Sequence, residues 1–530
     1  MNNTDTNLAA AVALDTVAGI AYAKVENPPA QSLTVSGISL DSSAVRPGEI
    51  FAALPGTRTH GATFAASSTA SAILTDNDGW EILTASGETR PVLVVDDVRA
   101  VLGLVSSEIY GNPSEKLTVI GVTGTSGKTT TTYMLESGLA AAGCAVGLIG
   151  TTGTRIKGED VPTSLTTPEA PKLQELFALM VERGVTHVVM EVSSHALVLG
   201  RVTGTQFDVA GFTNLSQDHL DFHSTMEDYF NAKAMLFDRE SPVAAATSVI
   251  CVDDVWGEKM VRRVKHGVGN EAAGATTVLT VGTRGQEDLD CEATLNGTTD
   301  SGAQDITVRL HDASITTRLP LPGEFNVANA ALATAIADAA GIDAGKFLRG
   351  LSTAAVPGRM ERIDAGQGFV AVVDYAHKPA AVAAALDTLR EQVDGRVGIV
   401  VGAGGDRDQS KRPIMGAESA RRADLVIITD DNPRTENPAD IRAAVRRGAE
   451  EARETNTGVE IRENDSRASA IRQLVAWAEP GDAVIVVGKG HEVGQIIGDV
   501  THHFDDREEM RAALAEAGFG GESTGKEDRA

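Results

Sequence analysis

Cysteine is scarce in this chain: Cys144, Cys251 and Cys291 stand far apart and make up the whole complement. That count and spacing give neither a disulfide framework nor a zinc site, and they fit a reducing compartment. Basic residues are also in deficit, 46 lysines and arginines against 73 acids for a formal charge of −27. Such a balance excludes nucleic acid or an anionic membrane as the main partner and otherwise serves solubility. It leaves room for a phosphorylated small substrate, because a local basic cluster or a helix N-terminus overrides the global field at close range. Long apolar runs are missing too, so no membrane-spanning helix is expected. The start, Met1-Asn-Asn-Thr-Asp5, has no basic segment, and Asp15 interrupts the apolar stretch behind it, unlike a secretory signal. The expectation is a cytoplasmic protein.

What the chain does hold is concentrated first in Thr118-Val-Ile-Gly-Val-Thr-Gly-Thr-Ser-Gly-Lys-Thr-Thr-Thr131, an apolar strand, a glycine-rich turn and a helix start. Small residues let backbone N–H groups close around a phosphate chain, and the helix N-terminus faces it. Lys128 would reach the outer phosphates and the Thr129 hydroxyl would sit on Mg²⁺. The spacing is shorter than the common phosphate loop, because the first glycine is Gly124 and Val122 stands where another would be. Strand, turn and helix in this order predict binding of a nucleoside triphosphate.

At 530 residues two or three domains are expected. Residues 1–113 read as a small α/β domain with apolar runs at Ile50–Leu54, Ser71–Leu74 and Val92–Val95. Residues 114–357 alternate buried strands, such as Thr186–Val192 and Val209–Leu215, with helical stretches, the pattern of a mostly parallel sheet. Within them, about 267–319 reads as edge hairpins, with runs at Ile306–Leu310 and Ile315–Leu319. Residues 358–517 form a third, Rossmann-like α/β block with valine- and isoleucine-rich strands Phe369–Val373, Val397–Val401, Leu425–Thr429 and Ala483–Val487. Residues 518–530 read as a disordered tail. The fold class is thus α/β in three domains, the central one like a phosphate-loop ATPase.

Polar clusters follow the strands, where α/β sheets gather ligands. Glu191 and His219 each follow a buried strand and could hold a second Mg²⁺ against the γ-phosphate, or be a hydrogen-bonded loop acid and histidine. Lys233, on the helical stretch Tyr229–Phe237, reads by default as solvated. In the third block Gly404-Gly-Asp-Arg-Asp408 and Asp431-Asn-Pro-Arg434 bring arginine forks suited to carboxylates, or surface arginines paired with adjacent aspartates. Gly488-Lys-Gly-His-Glu492 adds a turn open to close approach and an acid able to take an amine.

Together these residues resemble the Mur ligase superfamily, ATP-dependent amide-forming enzymes of peptidoglycan synthesis. The motifs are Thr123–Thr130, Leu165-Thr-Thr-Pro168, Glu191-Val-Ser-Ser-His195, Thr213–Asp221, Leu321-Pro-Gly-Glu-Phe-Asn-Val-Ala-Asn329, Gly358-Arg359, Asp374-Tyr-Ala-His377 and Asp431–Arg434, in order over nearly the whole chain. Their form is similar to the branch that adds the third amino acid to UDP-N-acetylmuramoyl-L-alanyl-D-glutamate. The resemblance implies that Gly124, Thr125, Ser126, Gly127, Lys128, Thr129 and Thr130 bind ATP phosphates, Asn326 or Asn329 lies near the base, and Arg359 and Asp374 approach ATP. It implies that Leu40, Ser42, Thr57, Arg58 and Thr59 hold the uridine end, and Thr166, Thr167, Ser193 and Arg201 the rest of the UDP-sugar peptide. Leu165 and Leu199 stand where some members carry polar side chains. Lys233 matches a lysine carried as a carbamate, a ligand for Mg²⁺ beside Thr129, Glu191 and His219; with Lys128 these are the implied catalytic set.

Asp431, Asn432, Pro433 and Arg434 match the form seen when the incoming amino acid is meso-diaminopimelate; lysine-adding relatives lack the arginine. Arg407, Gly488 and Glu492 match positions around the same ligand. A site built on a buried arginine should reject lysine, whose missing carboxylate leaves that charge unpaired. The other readings are L-lysine addition, a folylpolyglutamate-synthase-like ligase, and a nucleotide-gated module without catalysis. A monomer is expected.

Overall fold

The computed structural model describes residues 11–163, 165–220, 222–266, 277–283, 285, 288–299, 302–454 and 456–520. Asp221 of the Thr213–Asp221 motif, the N-terminal Met1–Asp5 and tail residues 521–530 lie outside them. Three α/β domains are distributed over two compact units. One unit holds Met1–Thr294, Thr307–Thr317 and Val327–Thr353, and the other holds Leu295–Ile306, Arg318–Asn326 and Ala354–Ala530.

The first unit opens with a five-stranded sheet in the order Lys24–Glu26, Val92–Val94, Ala72–Thr75, Ile50–Ala53, Ile38–Ser39, parallel except for the first pair. Side chains alternate between its faces, as the pleat requires. Ile50, Ala52, Leu74 and Leu93 join one apolar cluster, while Phe51, Ala53, Ile73 and Val92 join another. Asp97 caps the helix Val98–Ile109 by accepting from the backbone N–H of Arg99 and Ala100.

The larger sheet of this unit is built around Thr118–Thr123. His187–Glu191 lies parallel on one side and Val209–Phe212 parallel on the other. Outward follow Val146–Gly150 and the antiparallel Gly153–Ile156 and Glu159–Val161 on the first side. On the second side follow Thr247–Cys251, Thr277–Gly282 and Cys291–Thr298, all parallel, then Gln304–Leu310 and Ala313–Leu319. Thr277–Gly282 therefore extends the parallel sheet, where the sequence suggested only edge hairpins; its side chains grade from exposed at Thr277 to buried at Val281. The hairpin itself is Gln304–Leu310 and Ala313–Leu319, joined by His311–Asp312, and the division between units falls within it.

In the second unit six strands run in the order Glu361–Arg362, Val370–Asp374, Ala483–Val487, Val397–Val401, Leu425–Ile428, Glu460–Glu463, parallel after the first pair. Val397–Val401 and Ala483–Val487 are buried throughout because apolar clusters cover both faces. Phe519, inside the stretch 518–530 that the sequence assigns to a tail, packs edge-on against Phe369, with ring centroids 5.8 Å apart, and donates its N–H to the Leu514 carbonyl. Burial of one aromatic ring outweighs the ordering of two more residues.

Candidate active site

The central strand Thr118–Thr123 ends at the glycine-rich turn, and Lys128–Ala141 starts the helix behind it. Gly127, the residue before that helix, holds φ +88°, and a Cβ there would meet Asn329 Oδ1 at 2.5 Å. Only glycine fits both demands. The next loop staples the turn in place. Asn214 Oδ1 accepts from the Ser126 N–H at 3.0 Å, Thr213 Oγ1 donates to the Ser126 carbonyl at 2.7 Å, and the Thr125 N–H donates to the Asn214 carbonyl at 2.9 Å. Lys128 Nζ donates to the carbonyls of Gly124 and Thr125, each at 3.0 Å, so its ammonium stays at the loop. Thr130 is buried in the first turn.

Glu191 ends the neighbouring strand and is 1% exposed. Its Oε1 accepts from Thr129 Oγ1 at 2.9 Å and the Thr151 N–H at 2.8 Å; Oε2 accepts from Thr151 Oγ1 at 3.0 Å. Lys233 is 1% exposed, which corrects its reading as a solvated lysine. The helix Met226–Ala234 turns it inward, where Nζ donates to the Gly124 carbonyl at 2.8 Å and lies 4.5 Å from the Tyr229 ring centroid. Tyr229 in turn meets Thr125 Oγ1 through its hydroxyl at 3.3 Å, and burial pushes that phenol up. His219 has φ +53° and its Nε2 lies 3.0 Å from Asp218 Oδ2. Its ring sits edge-on to His195 at 5.0 Å and to Tyr229 at 5.9 Å. Thus Thr129 and Glu191 meet directly, Lys233 reaches the phosphate turn, and His219 joins a ring cluster at Tyr229.

The residues assigned to the UDP-linked substrate fall in two places. Leu40 and Ser42 follow the strand Ile38–Ser39, and Thr57, Arg58 and Thr59 lie exposed on the loop after its parallel neighbour Ile50–Ala53, so both loops share one sheet edge. Thr167 Oγ1 donates to the Glu191 carbonyl at 2.8 Å and accepts from the Ser193 N–H at 3.2 Å. Thr166 Oγ1 lies 3.2 Å from Thr151 Oγ1. Arg201 pairs with Glu169 at 2.9 Å and donates to the Thr167 carbonyl. Four of these positions therefore ring the Glu191 strand end.

The unit boundary falls inside the helix Glu324–Ala339, so Asn326 and Asn329 belong to different units. In the second unit Asn326 donates to the Pro322 carbonyl at 2.7 Å. Asp374 accepts from the Met360 N–H at 2.7 Å and the Ala376 N–H at 2.8 Å. Its pKa is raised by burial, which exceeds the opposing effects of the Arg359 charge and these bonds. The Arg359 guanidinium lies 4.1 Å from the Tyr375 ring centroid, a cation–π stack. Burial, helped by Lys378 and Lys411, pushes the neighbouring His377 imidazole down to about 3.

Asp431, Asn432 and Pro433 are buried and Arg434 is half-buried. Arg434 Nη1 donates to the Gly405 carbonyl at 2.7 Å, which joins the two arginine loops. Arg407 lies exposed on the facing loop; Asp406 is taken by Thr435 and Asp408 by Ser410, rather than by the adjacent arginine. Asn432 Nδ2 donates to Glu492 Oε2 at 3.3 Å. Burial, then the Asp431 charge, raise the Glu492 pKa. For Asp431 burial works the other way from Lys489 and Arg467, whose charges prevail and hold it below the usual carboxylate range. Gly488, at φ +118°, brings its backbone close to Asp431.

Sequence reasoning missed Thr151, Tyr229, Lys489 and Arg467. Tyr229 stands four residues before Lys233, one turn away on the same helix, which is a readable signal once that helix is assigned. Arg467 and its partner Asp506 are 39 positions apart and carry no such signal.

Comparison with known proteins gives matches over three segments. Residues 34–109 match the description "Mur ligase family, catalytic domain", 122–337 "Mur ligase middle domain", and 358–490 "Mur ligase, glutamate ligase domain". A UDP-N-acetylmuramoyl-L-alanyl-D-glutamate–2,6-diaminopimelate ligase of Corynebacterium glutamicum is 61% identical over 94% of this chain and 96% of its own. The protein of the same description from Corynebacterium efficiens is 59% identical over 98% and 97%. A solved structure of a ligase so described superposes with a TM-score of 0.64 at 32% identity, covering 92% of this chain and 96% of that one.

Proposed function

The chain belongs to the Mur ligase family, and we infer that it is the ATP-dependent ligase that joins meso-diaminopimelate to UDP-N-acetylmuramoyl-L-alanyl-D-glutamate in peptidoglycan precursor synthesis. The observation that carries this is near-full-length identity of 61% to a ligase of that description, with the Asp431–Arg434 loop intact. We place the domain boundaries at 113/114 and 357/358, and the enzyme in the cytoplasm as a monomer. Among the described residues no helix is long and apolar enough to cross a membrane.

The γ-carboxylate of the D-glutamyl residue attacks the γ-phosphate of ATP, giving an acyl phosphate and ADP. The amine of diaminopimelate then displaces phosphate and forms the amide. Little covalent work falls to the protein, so positioning and charge stabilisation carry the rate. Gly124–Thr130 cradle the phosphates, and Lys128 meets the charge that develops on the transferring group. Thr166, Thr167, Ser193 and Arg201 orient the D-glutamyl carboxylate, the phosphoryl acceptor and then acyl donor, beside Glu191.

The Thr129 hydroxyl and the Glu191 carboxylate, 2.9 Å apart, form an all-oxygen donor pair suited to a hard cation. Mg²⁺ is an ion held by one or two carboxylates plus substrate phosphates, and Glu191 would be that carboxylate here. When bound, Mg²⁺ would neutralise charge on the phosphate oxygens. His219 and a carbamate on Lys233 are further candidates for its shell; the Gly124 contact keeps Lys233 at the phosphate turn. In the second unit Arg434 and Arg407 would receive the distal carboxylate of diaminopimelate and Glu492 its ammonium.

The test is ATP-dependent product formation from the UDP-muramoyl dipeptide with a panel of amino acids, read by mass. Diaminopimelate adduct is expected. Equal turnover of lysine would sink the specificity argument, and turnover of folate substrates instead would move the chain to another ligase class.

A further inference from the structure

Lys489 is fully buried, where an ammonium costs several kcal/mol unless it is well paired and an apolar residue of similar size would be no less stable. The polar partners of its Nζ all stand on two loops rather than in the supporting sheet. Nζ lies 3.2 Å from Asp431 Oδ1, and donates to Asn432 Oδ1 and to the Gly494 carbonyl at 2.8 Å each. Gly494 stands immediately before the small hairpin Gln495–Ile497 and Val500–His502. That hairpin grips the arginine loop along its length. Gln495 Nε2 donates to the Asp431 carbonyl at 2.8 Å, the Ile496 N–H to Asn432 Oδ1 at 3.0 Å, and the Gly498 N–H to the Arg434 carbonyl at 2.8 Å. The Arg434 N–H answers to the Ile496 carbonyl at 3.1 Å. Behind Asp431, the buried Arg467 is paired in bidentate fashion with Asp506 at 2.7 Å and donates to the Val487 carbonyl, so the charge of Asp431 is set from both sides.

We propose that Lys489 is a positioning residue for amino-acid selection: it locks the Asp431–Arg434 loop to the hairpin Gln495–His502, so that the Arg434 fork is presented to the distal carboxylate of diaminopimelate. This rests on the ligase reading above. Without the lysine, Asn432 and the hairpin root lose their common donor, and Arg434, whose φ of +51° is a strained backbone state, relaxes.

The experiment is steady-state kinetics of the full-length Lys489→Met chain with the UDP-muramoyl dipeptide, ATP, and either diaminopimelate or lysine. Expected is a rise in KM for diaminopimelate on the order of tenfold, the loss of one charge-assisted contact set. KM for ATP and for the UDP substrate should stay within about twofold, and lysine turnover should rise relative to diaminopimelate. An unchanged KM for diaminopimelate, or equal losses for all three substrates, overturns the proposal. If Lys489→Met shows no cooperative melt, Gln495→Leu decides: a raised KM for diaminopimelate alone supports the lock, and no change overturns it. A wild-type chain that makes no diaminopimelate adduct overturns the ligase reading itself, whereas wild-type turnover with an indifferent Lys489→Met overturns only the lock.

Discussion

Arg434 combines a left-handed backbone with a long side chain, a conformation that costs about 1–2 kcal/mol in a residue other than glycine. Its own N–H and carbonyl are both tied to the hairpin and its Nη1 to Gly405, which offsets that cost and aims the fork. Arg434→Ala is therefore expected to lower kcat/KM for diaminopimelate by at least about tenfold, because a truncated partner leaves a substrate charge unpaired. KM for ATP should change far less; parallel titrations of the two substrates measure it. At Thr129 and Glu191, the oxygen pair predicts that chelating divalent cations stops ADP release and that added Mg²⁺ restores it. His377 sets a pH dependence. The unfolded chain takes up its proton near 6.5 and the folded chain only at about 3, so acid favours unfolding throughout that window. Stability should fall as pH drops from about 6.5 towards 3, and His377→Asn should flatten that fall in denaturant titrations.

The helix Lys128–Ala141 is buried on nearly every side although its sequence has no clear apolar stripe. The reason lies in Gly138, where a Cβ would stand 2.2 Å from the ring of Phe347, itself fully buried on the helix Ala344–Leu351. Gly138→Ala gains about 1 kcal/mol of helix propensity. It loses about 1–3 kcal/mol by overpacking, since the trapped ring has nowhere to turn. Net destabilisation is expected, read as a lower melting temperature, with Phe347→Leu in the same chain restoring part of it. Strands were the most legible elements. Val397–Val401 and Ala483–Val487 stand where their apolar runs begin and end, because both faces are covered and composition alone marks them. Thr277–Gly282 was misread, since it precedes the alternating runs Ile306–Leu310 and Ile315–Leu319 and its parallel pairing to Thr247–Cys251 is a long-range choice that no local pattern shows.

Across the whole molecule, the phosphate turn belongs to one compact unit and the Asp431–Arg434 loop to the other. The reaction couples their ligands chemically: the acyl phosphate made from ATP is consumed only by the amine. With the UDP-muramoyl dipeptide and ATP but no amino acid, ADP formation should therefore cease after a burst no larger than the enzyme present, with no free phosphate released; continued ADP formation would contradict the ordered mechanism. The glycine-rich turn, the arginine loop and the strands before them were legible in the sequence alone. Each is a short contiguous segment whose residue types mark it locally, glycine for a tight turn or an apolar run for a covered strand. Only the tertiary structure decided that Lys233 is buried against Gly124, that Thr129 and Glu191 share a hydrogen bond across 62 positions, and that Lys489 and Arg467 charge the floor beneath Asp431. Burial and long-range pairing depend on which strands become neighbours, and no local pattern of side chains carries that information.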